Sequence, residues 1–162
     1  MRRRCTHHGN AFLKGKGHYR TMNTTLVEIE TPEQREQAFE LLKELSPKIN
    51  KADFMASLGH KLMENHKLFG LIDSGKLVSV AAVWLLMTGL MEKIIWIYGF
   101  VTTEPMLSKG YGKKLLEEIE QYAKKEKFHE IRVHTHRELA RHFWEDTADF
   151  EWFSGVLRKP VR

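Results

Sequence analysis

Apolar residues along this chain recur with two periods, and an element ends wherever the period changes. Residues 25–30 alternate apolar and polar, as a half-buried strand does. Thr31-Pro32-Glu33-Gln34 then reads as a helix start, with a capping threonine, proline in the first helical position and glutamine placed for a capping box. Ala38, Leu41, Leu42 and Leu45 form one face of that helix, and Pro47 ends it. A second helix is predicted over 51–65, with Phe54, Leu58, Leu62 and Met63 on one stripe. The period then drops to two. Strands over 68–73, 77–86 and 93–103 are joined by the turn Asp73-Ser74-Gly75-Lys76 and a bend at Thr88-Gly89, which predicts an antiparallel meander. A helix from Tyr111 to about residue 127 follows, with Tyr111, Leu115, Leu116, Ile119, Tyr122 and Ala123 on its apolar face. A strand over 130–135, a helix over 137–147 with face Leu139, Ala140, Phe143 and Trp144, and a strand or hairpin over 150–157 complete the chain. The order βααβββαβαβ, with a strand–helix–strand unit after the meander, predicts an α/β domain. Its sheet is mixed but mostly antiparallel, with helices on both faces.

Bulk composition sharpens this picture in three ways. A chain of 162 residues, 42% hydrophobic and 29% charged, suits one domain with a sizeable core. Cys5 is the single cysteine, so no intrachain disulfide can form, which fits a reducing cytoplasm. The longest apolar run, 77–91, contains Ser79, Thr88 and Gly89, falls short of the roughly 20 residues of a membrane-spanning helix, and is valine-rich, so a buried strand is the better reading.

The net charge of +5 is unevenly distributed. Arg2, Arg3, Arg4, Lys14, Lys16 and Arg20 fall in residues 1–21 without a single acid, and the rest of the chain is close to neutral. Nothing in the neutral part favours nucleic acid. Residues 1–22 read as a disordered basic leader ahead of a domain over 23–162. A basic nucleic-acid or membrane contact, and residues lying upstream of a start at Met22, are the competing readings. No apolar segment follows the arginines, so a secretory signal is not indicated.

The segment richest in chemistry is Leu107-Ser108-Lys109-Gly110-Tyr111-Gly112-Lys113, between a strand and an amphipathic helix. Unpaired N–H groups in the first turn of a helix and the helix dipole together favour an anion such as a phosphate. Glycines allow close approach and positive φ. A dinucleotide fingerprint would need a third glycine where Leu115 stands, and its acid, about 20 residues on, would fall at Glu130, at the start of a strand rather than the end of one. A Walker loop is excluded by spacing. A turn that merely permits tight geometry is the plainest alternative.

Element order, this turn and the segment after the fifth strand together resemble the GNAT superfamily of acyl-CoA-dependent N-acetyltransferases. The superfamily pattern Arg/Gln-x-x-Gly-x-Gly/Ala is matched by residues 107–112, with Leu107 in the first place. A second pattern, an alanine followed by an aromatic pair, is matched by Ala140, Phe143 and Trp144. The resemblance covers about residues 24–160. It implies an acetyl-CoA site in which the backbone from Leu107 through Ser108, Lys109, Gly110, Tyr111 and Gly112 to Lys113 holds the pyrophosphate. The pantetheine arm would pair with the strand end at Phe100, Val101 and Thr103, beside Trp144. It implies acetyl transfer by direct attack of a primary amine of a small molecule or peptide, within a ternary complex. It also implies a homodimer, for which exposed aromatics near the end of the chain, Trp152 and Phe153, offer a seam.

Departures from the superfamily pattern limit what the resemblance says about chemistry. Leu107 replaces the usual cation or amide, with Lys109 and Lys113 nearby to supply charge. Trp144 replaces a tyrosine that protonates the departing thiolate in many members, and indole is no general acid at neutral pH. Gly99 stands where relatives often carry an acid. Tyr98, Glu104 and His134 are the candidates left for proton transfer, histidine titrating in the useful range. His134 and His136 fall on one side of a strand, but no cysteine or aspartate lies near, so a cleft or surface pair is the simpler reading and no metal is expected. The alternative to an enzyme is an acetyl-CoA-binding sensor of the same fold with degenerate catalytic residues.

Overall fold

A computed structural model describes residues 23–58, 60, 64–135 and 138–153. The expected leader 1–22, the stripe residues Leu62 and Met63, His136, the side chain of Leu139 and residues 154–157 lie outside the described residues.

Five strands form one sheet in sequence order: β1 (Thr24–Glu28), β2 (His66–Asp73), β3 (Lys76–Met87), β4 (Lys93–Thr102) and β5 (Glu130–Val133). β1 to β4 pair antiparallel, and β4 pairs β5 parallel. α1 (Pro32–Leu45) and α2 (Lys51–Ser57) cover one face; α3 (Tyr111–Lys125) and the short α4 (Glu138–His142) with a π-helical turn (Phe143–Thr147) cover the other. Period-two alternation explains the division. Leu68, Val80 and Ala82 pack with Ala38, Phe39, Leu42 and Phe54, while Phe69, Ala81, Val83, Ile95 and Ile97 pack with Leu115, Leu116 and Ile119. The mixed, mostly antiparallel sheet with helices on both faces is therefore as the pattern predicts.

Local chemistry accounts for the element ends. The Gln34 N–H donates to Thr31 Oγ1 (3.2 Å) and the Thr31 N–H to Gln34 Oε1 (3.2 Å), closing the capping box of α1. Asn50 Oδ1 caps α2, accepting from the N–H groups of Ala52 (2.8 Å) and Asp53 (3.1 Å). α2 stops at Ser57, well short of residue 65, and in its last turn the Ser57 hydroxyl donates to the Phe54 carbonyl (2.7 Å). β2 then starts at His66, two residues earlier than expected.

The expected final strand is not formed over 150–153. Asp149 takes φ +55°, turning the chain back, and the Phe150 N–H donates to the Trp144 carbonyl (2.8 Å). That bond, and packing of the Phe150 ring on Trp144 (5.1 Å between centroids), hold the segment to the π-helical turn rather than to the sheet.

Candidate functional site

The site grows from a fault in the β3–β4 ladder. Ala82 faces Gly99 but Val83 faces Ile97, so Tyr98 is an extra residue, a β-bulge. β4 and β5 pair only from Ile94↔Glu130 to Ile97↔Val133, with the His134 N–H reaching the Ile97 carbonyl at 3.3 Å. Past the bulge the two parallel strands part. On the other edge β4 stays bonded to β3, ending with the Thr103 N–H on the Val78 carbonyl (3.0 Å). Backbone groups alternate sides along a strand, so those of Phe100 and Thr102 face the side that β5 has left. Ser79, fully buried, braces this end of β4: its hydroxyl donates to the Val101 carbonyl (2.9 Å) and lies 2.9 Å from Thr102 Oγ1.

The opening between β4 and β5 is a cleft of about 350 Å³, lined in part by Ser46 from the end of α1, Tyr98, Phe100, His134, Thr135 and Trp144. Trp144 is 4% exposed and stacks edge-on against Phe100 and Phe143, each at 5.0 Å, so it forms the cleft wall as packing rather than as a polar group. Tyr98 and His134, two of the proton-transfer candidates, line the same cleft. Glu104, the third, sits in a 3-10 turn (Glu104–Met106) beyond β4 and does not line it.

β4 leads through that turn into the glycine segment. Ser108 and Gly110 both take positive φ, +58° and +87°, and Gly110 caps α3. The first helical bond runs from the Lys114 N–H to the Gly110 carbonyl (2.9 Å), so the N–H groups of Gly112 and Lys113 have no acceptor within the helix. A Cβ at Gly112 would meet Thr102 Oγ1 at 3.4 Å and Phe143 at 3.7 Å, ordinary contacts. Gly112 is therefore required neither by φ nor by the space between α3 and the end of β4. The Tyr111 hydroxyl donates to Asp73 Oδ2, tying the start of α3 to the β2–β3 turn.

The first turn of α3 carries no acid. Lys114 is paired with Glu118 (2.8 Å), whereas Lys109 and Lys113 form no ion pair among the described residues. Cations at a helix N-terminus oppose its dipole. Their presence here suits a site whose occupant is an anion.

Sequence reasoning missed one cluster. His66, Trp84 and Tyr98 come together on the α1–α2 face, with ring centroids 5.5–5.8 Å apart and the Tyr98 hydroxyl against His66 Nε2. Burial pushes His66 down to about 4, so its ring is neutral at neutral pH and shares a hydrogen bond with the Tyr98 hydroxyl. Burial pushes Tyr98 well above the usual tyrosine range, although the residue remains 43% exposed. Tyr98 thus keeps its proton, which argues against its acting as a base. The available signal was that His66 is in phase with Leu68 on an alternating run, and the turn at residues 73–76 brings β2 alongside β3.

A family model described as the Acetyltransferase (GNAT) family matches residues 25–150. An uncharacterized N-acetyltransferase of Bacillus subtilis (strain 168), YhdJ, is 26% identical over 139 residues, covering 84% of this chain and 98% of its own. Among solved structures, an aminoglycoside acetyltransferase from an uncultured soil metagenomic sample, in complex with sisomicin, superposes with a TM-score of 0.71 at 16% identity, over 87% of this chain and 97% of its own. An aminoglycoside N-acetyltransferase in complex with CoA gives 0.69 at 15% identity, over 88% and 97%.

Proposed function

The chain belongs to the GNAT family of acetyltransferases, and on that premise we propose that it moves an acetyl group from acetyl-CoA to a primary amine of a small molecule or peptide, by direct attack in a ternary complex. One observation carries the reading. Among the described residues, the edge of β4 at Phe100 and Thr102 is free and runs through a short turn into the α3 N-terminus, where Lys109 and Lys113 are unmatched by acids. That is an extended hydrogen-bonding edge continued by an anion-binding turn, which suits an amide-containing arm ending in a pyrophosphate.

Residues 107–113 would hold the pyrophosphate, mainly by backbone, so Leu107 in place of a cation is tolerated. Phe100 and Thr102 would pair with the arm through their outward backbone groups, whereas the expected Val101 and Thr103 turn their backbone to β3 instead. Acetyl-CoA bound there would supply the activated acyl thioester. The Phe100 N–H is the first past the bulge on the free side and is the group best placed to meet oxygen charge developing in the cleft. His134, in the same cleft, is the side chain we assign to receiving the amine proton, directly or through water. Trp144 walls the arm without transferring a proton, and the thiolate leaves unaided, since its conjugate thiol has a pKa of about 8.5. The same reading sets residues 1–22 aside as a leader and the domain in the cytoplasm.

Calorimetric titration with acetyl-CoA, followed by a thiol-release assay across an amine panel, tests the proposal. Saturable heat and amine-dependent thiol release are expected. No heat at millimolar acetyl-CoA overturns it. Saturable binding without release on any amine would replace it with the sensor reading.

A further inference from the structure

The His66, Trp84 and Tyr98 cluster is not used in holding the arm or the pyrophosphate, yet it meets the cleft at Tyr98. Its position follows from the bulge. His66 pairs with Trp84 across β2 and β3, and Trp84 with Trp96 across β3 and β4. The extra residue at 98 brings a third ring into this row, its hydroxyl held by His66. The result is a compact group of three rings from three strands, each within 5.8 Å of the other two, that reaches the cleft through Tyr98.

Next to it, Gly99 sits tightly against Ala82, which would have to give by a few tenths of an ångström to admit a side chain. A Cβ there would lie 3.2 Å from the Ala82 Cβ, backed by Leu42 at 3.5 Å and Leu45 at 3.7 Å. The polar side chains of this cleft among the described residues are those of Ser46, Tyr98, His134 and Thr135, and the carboxylates of Glu120, Glu130, Glu145, Asp149 and Glu151 line the adjoining opening beyond His134 and Trp144. A polycationic acceptor lying against the three rings would meet counter-charge only across His134, in that adjoining opening, and would shed water from its ammonium groups without it. An acceptor with one amine and a flat apolar body would lose little and gain ring contacts.

Resting on the acetyltransferase reading, we propose that the His66–Trp84–Tyr98 row is the floor of the acceptor subsite, and that the acceptor is a monoamine carrying an aromatic body rather than a polyamine or an aminoglycoside. Trp84 and Tyr98 supply the faces on which that body lies. His66 is a positioning residue, fixing the Tyr98 ring through its hydroxyl.

The test uses the full chain, shown first by calorimetry to bind acetyl-CoA, with phenethylamine, spermidine and kanamycin as acceptors. Phenethylamine is expected to be acetylated with kcat/KM at least tenfold above the other two. Trp84→Ala should raise the KM for phenethylamine about tenfold, with the change confined to the acceptor, and Trp84→Phe should recover most of the loss. Should Trp84→Ala fail to fold, Trp84→Leu keeps bulk, removes the ring and reads the same effect. Preference for spermidine or kanamycin, an unchanged KM in the ring-less variant, or no turnover of phenethylamine by a chain that binds acetyl-CoA would overturn the acceptor proposal and leave the cofactor reading standing. Failure to bind acetyl-CoA overturns both.

Discussion

Gly110 and Gly112 look alike in the sequence and do different things in the fold. At φ +87° Gly110 occupies backbone space that an L side chain enters at a cost of roughly 1–2 kcal/mol. Gly110→Ala should lower stability by about that amount and weaken acetyl-CoA binding, whereas Gly112→Ala, with room for a methyl, should leave both within experimental scatter. Denaturant titration and calorimetry on the two variants check this. His66 makes a second prediction at this scale. Its folded value of about 4 lies below the ordinary 6.5, so the fold favours the neutral ring. That contribution is complete above pH 6.5 and is lost as pH falls toward 4. Urea midpoints of the parent chain should therefore drop over this window, and those of His66→Gln should drop less.

α3 is where stability and binding pull in opposite directions. Lys113 opposes the helix dipole, so Lys113→Glu should stabilise the fold by about 0.3–1 kcal/mol. If the turn holds a pyrophosphate, the same change should cost affinity for acetyl-CoA, and the loss should shrink as salt is raised. A variant that is less stable, or that binds as before, would remove the anion-site reading of this helix end. α1 gives a simpler case: its capping box is complete, and Thr31→Ala should cost about 1 kcal/mol in denaturant titration. The two helices were also the most legible elements. Thr31, Pro32 and Gln34 announce one start, and the apolar stripe through Leu115 and Ile119 announces the other helix whole. The apolar stripe through Phe54 and Leu58 continues past Ser57, so the pattern does not mark where α2 ends. The final strand was misread because the alternation at residues 150–153 says nothing of the bend at Asp149.

For the whole molecule, two cores share one sheet, and the α3 side is the larger. Leu115 is fully buried within it, and Leu115→Ala should cost about 2–5 kcal/mol, read from the unfolding midpoint. The sequence by itself determined the element order as far as α4, the two-sided sheet and the family, because each is written in local periodicity or in residues adjacent along the chain. Tertiary structure decided the rest. A one-residue bulge at Tyr98 depends on how β4 registers against β3, and the opening of the cleft depends on where β5 leaves β4. His66 and Trp84 reach Tyr98 from two other strands. Register, strand divergence and contacts between distant residues are set by how the whole sheet packs, so no local pattern carries them.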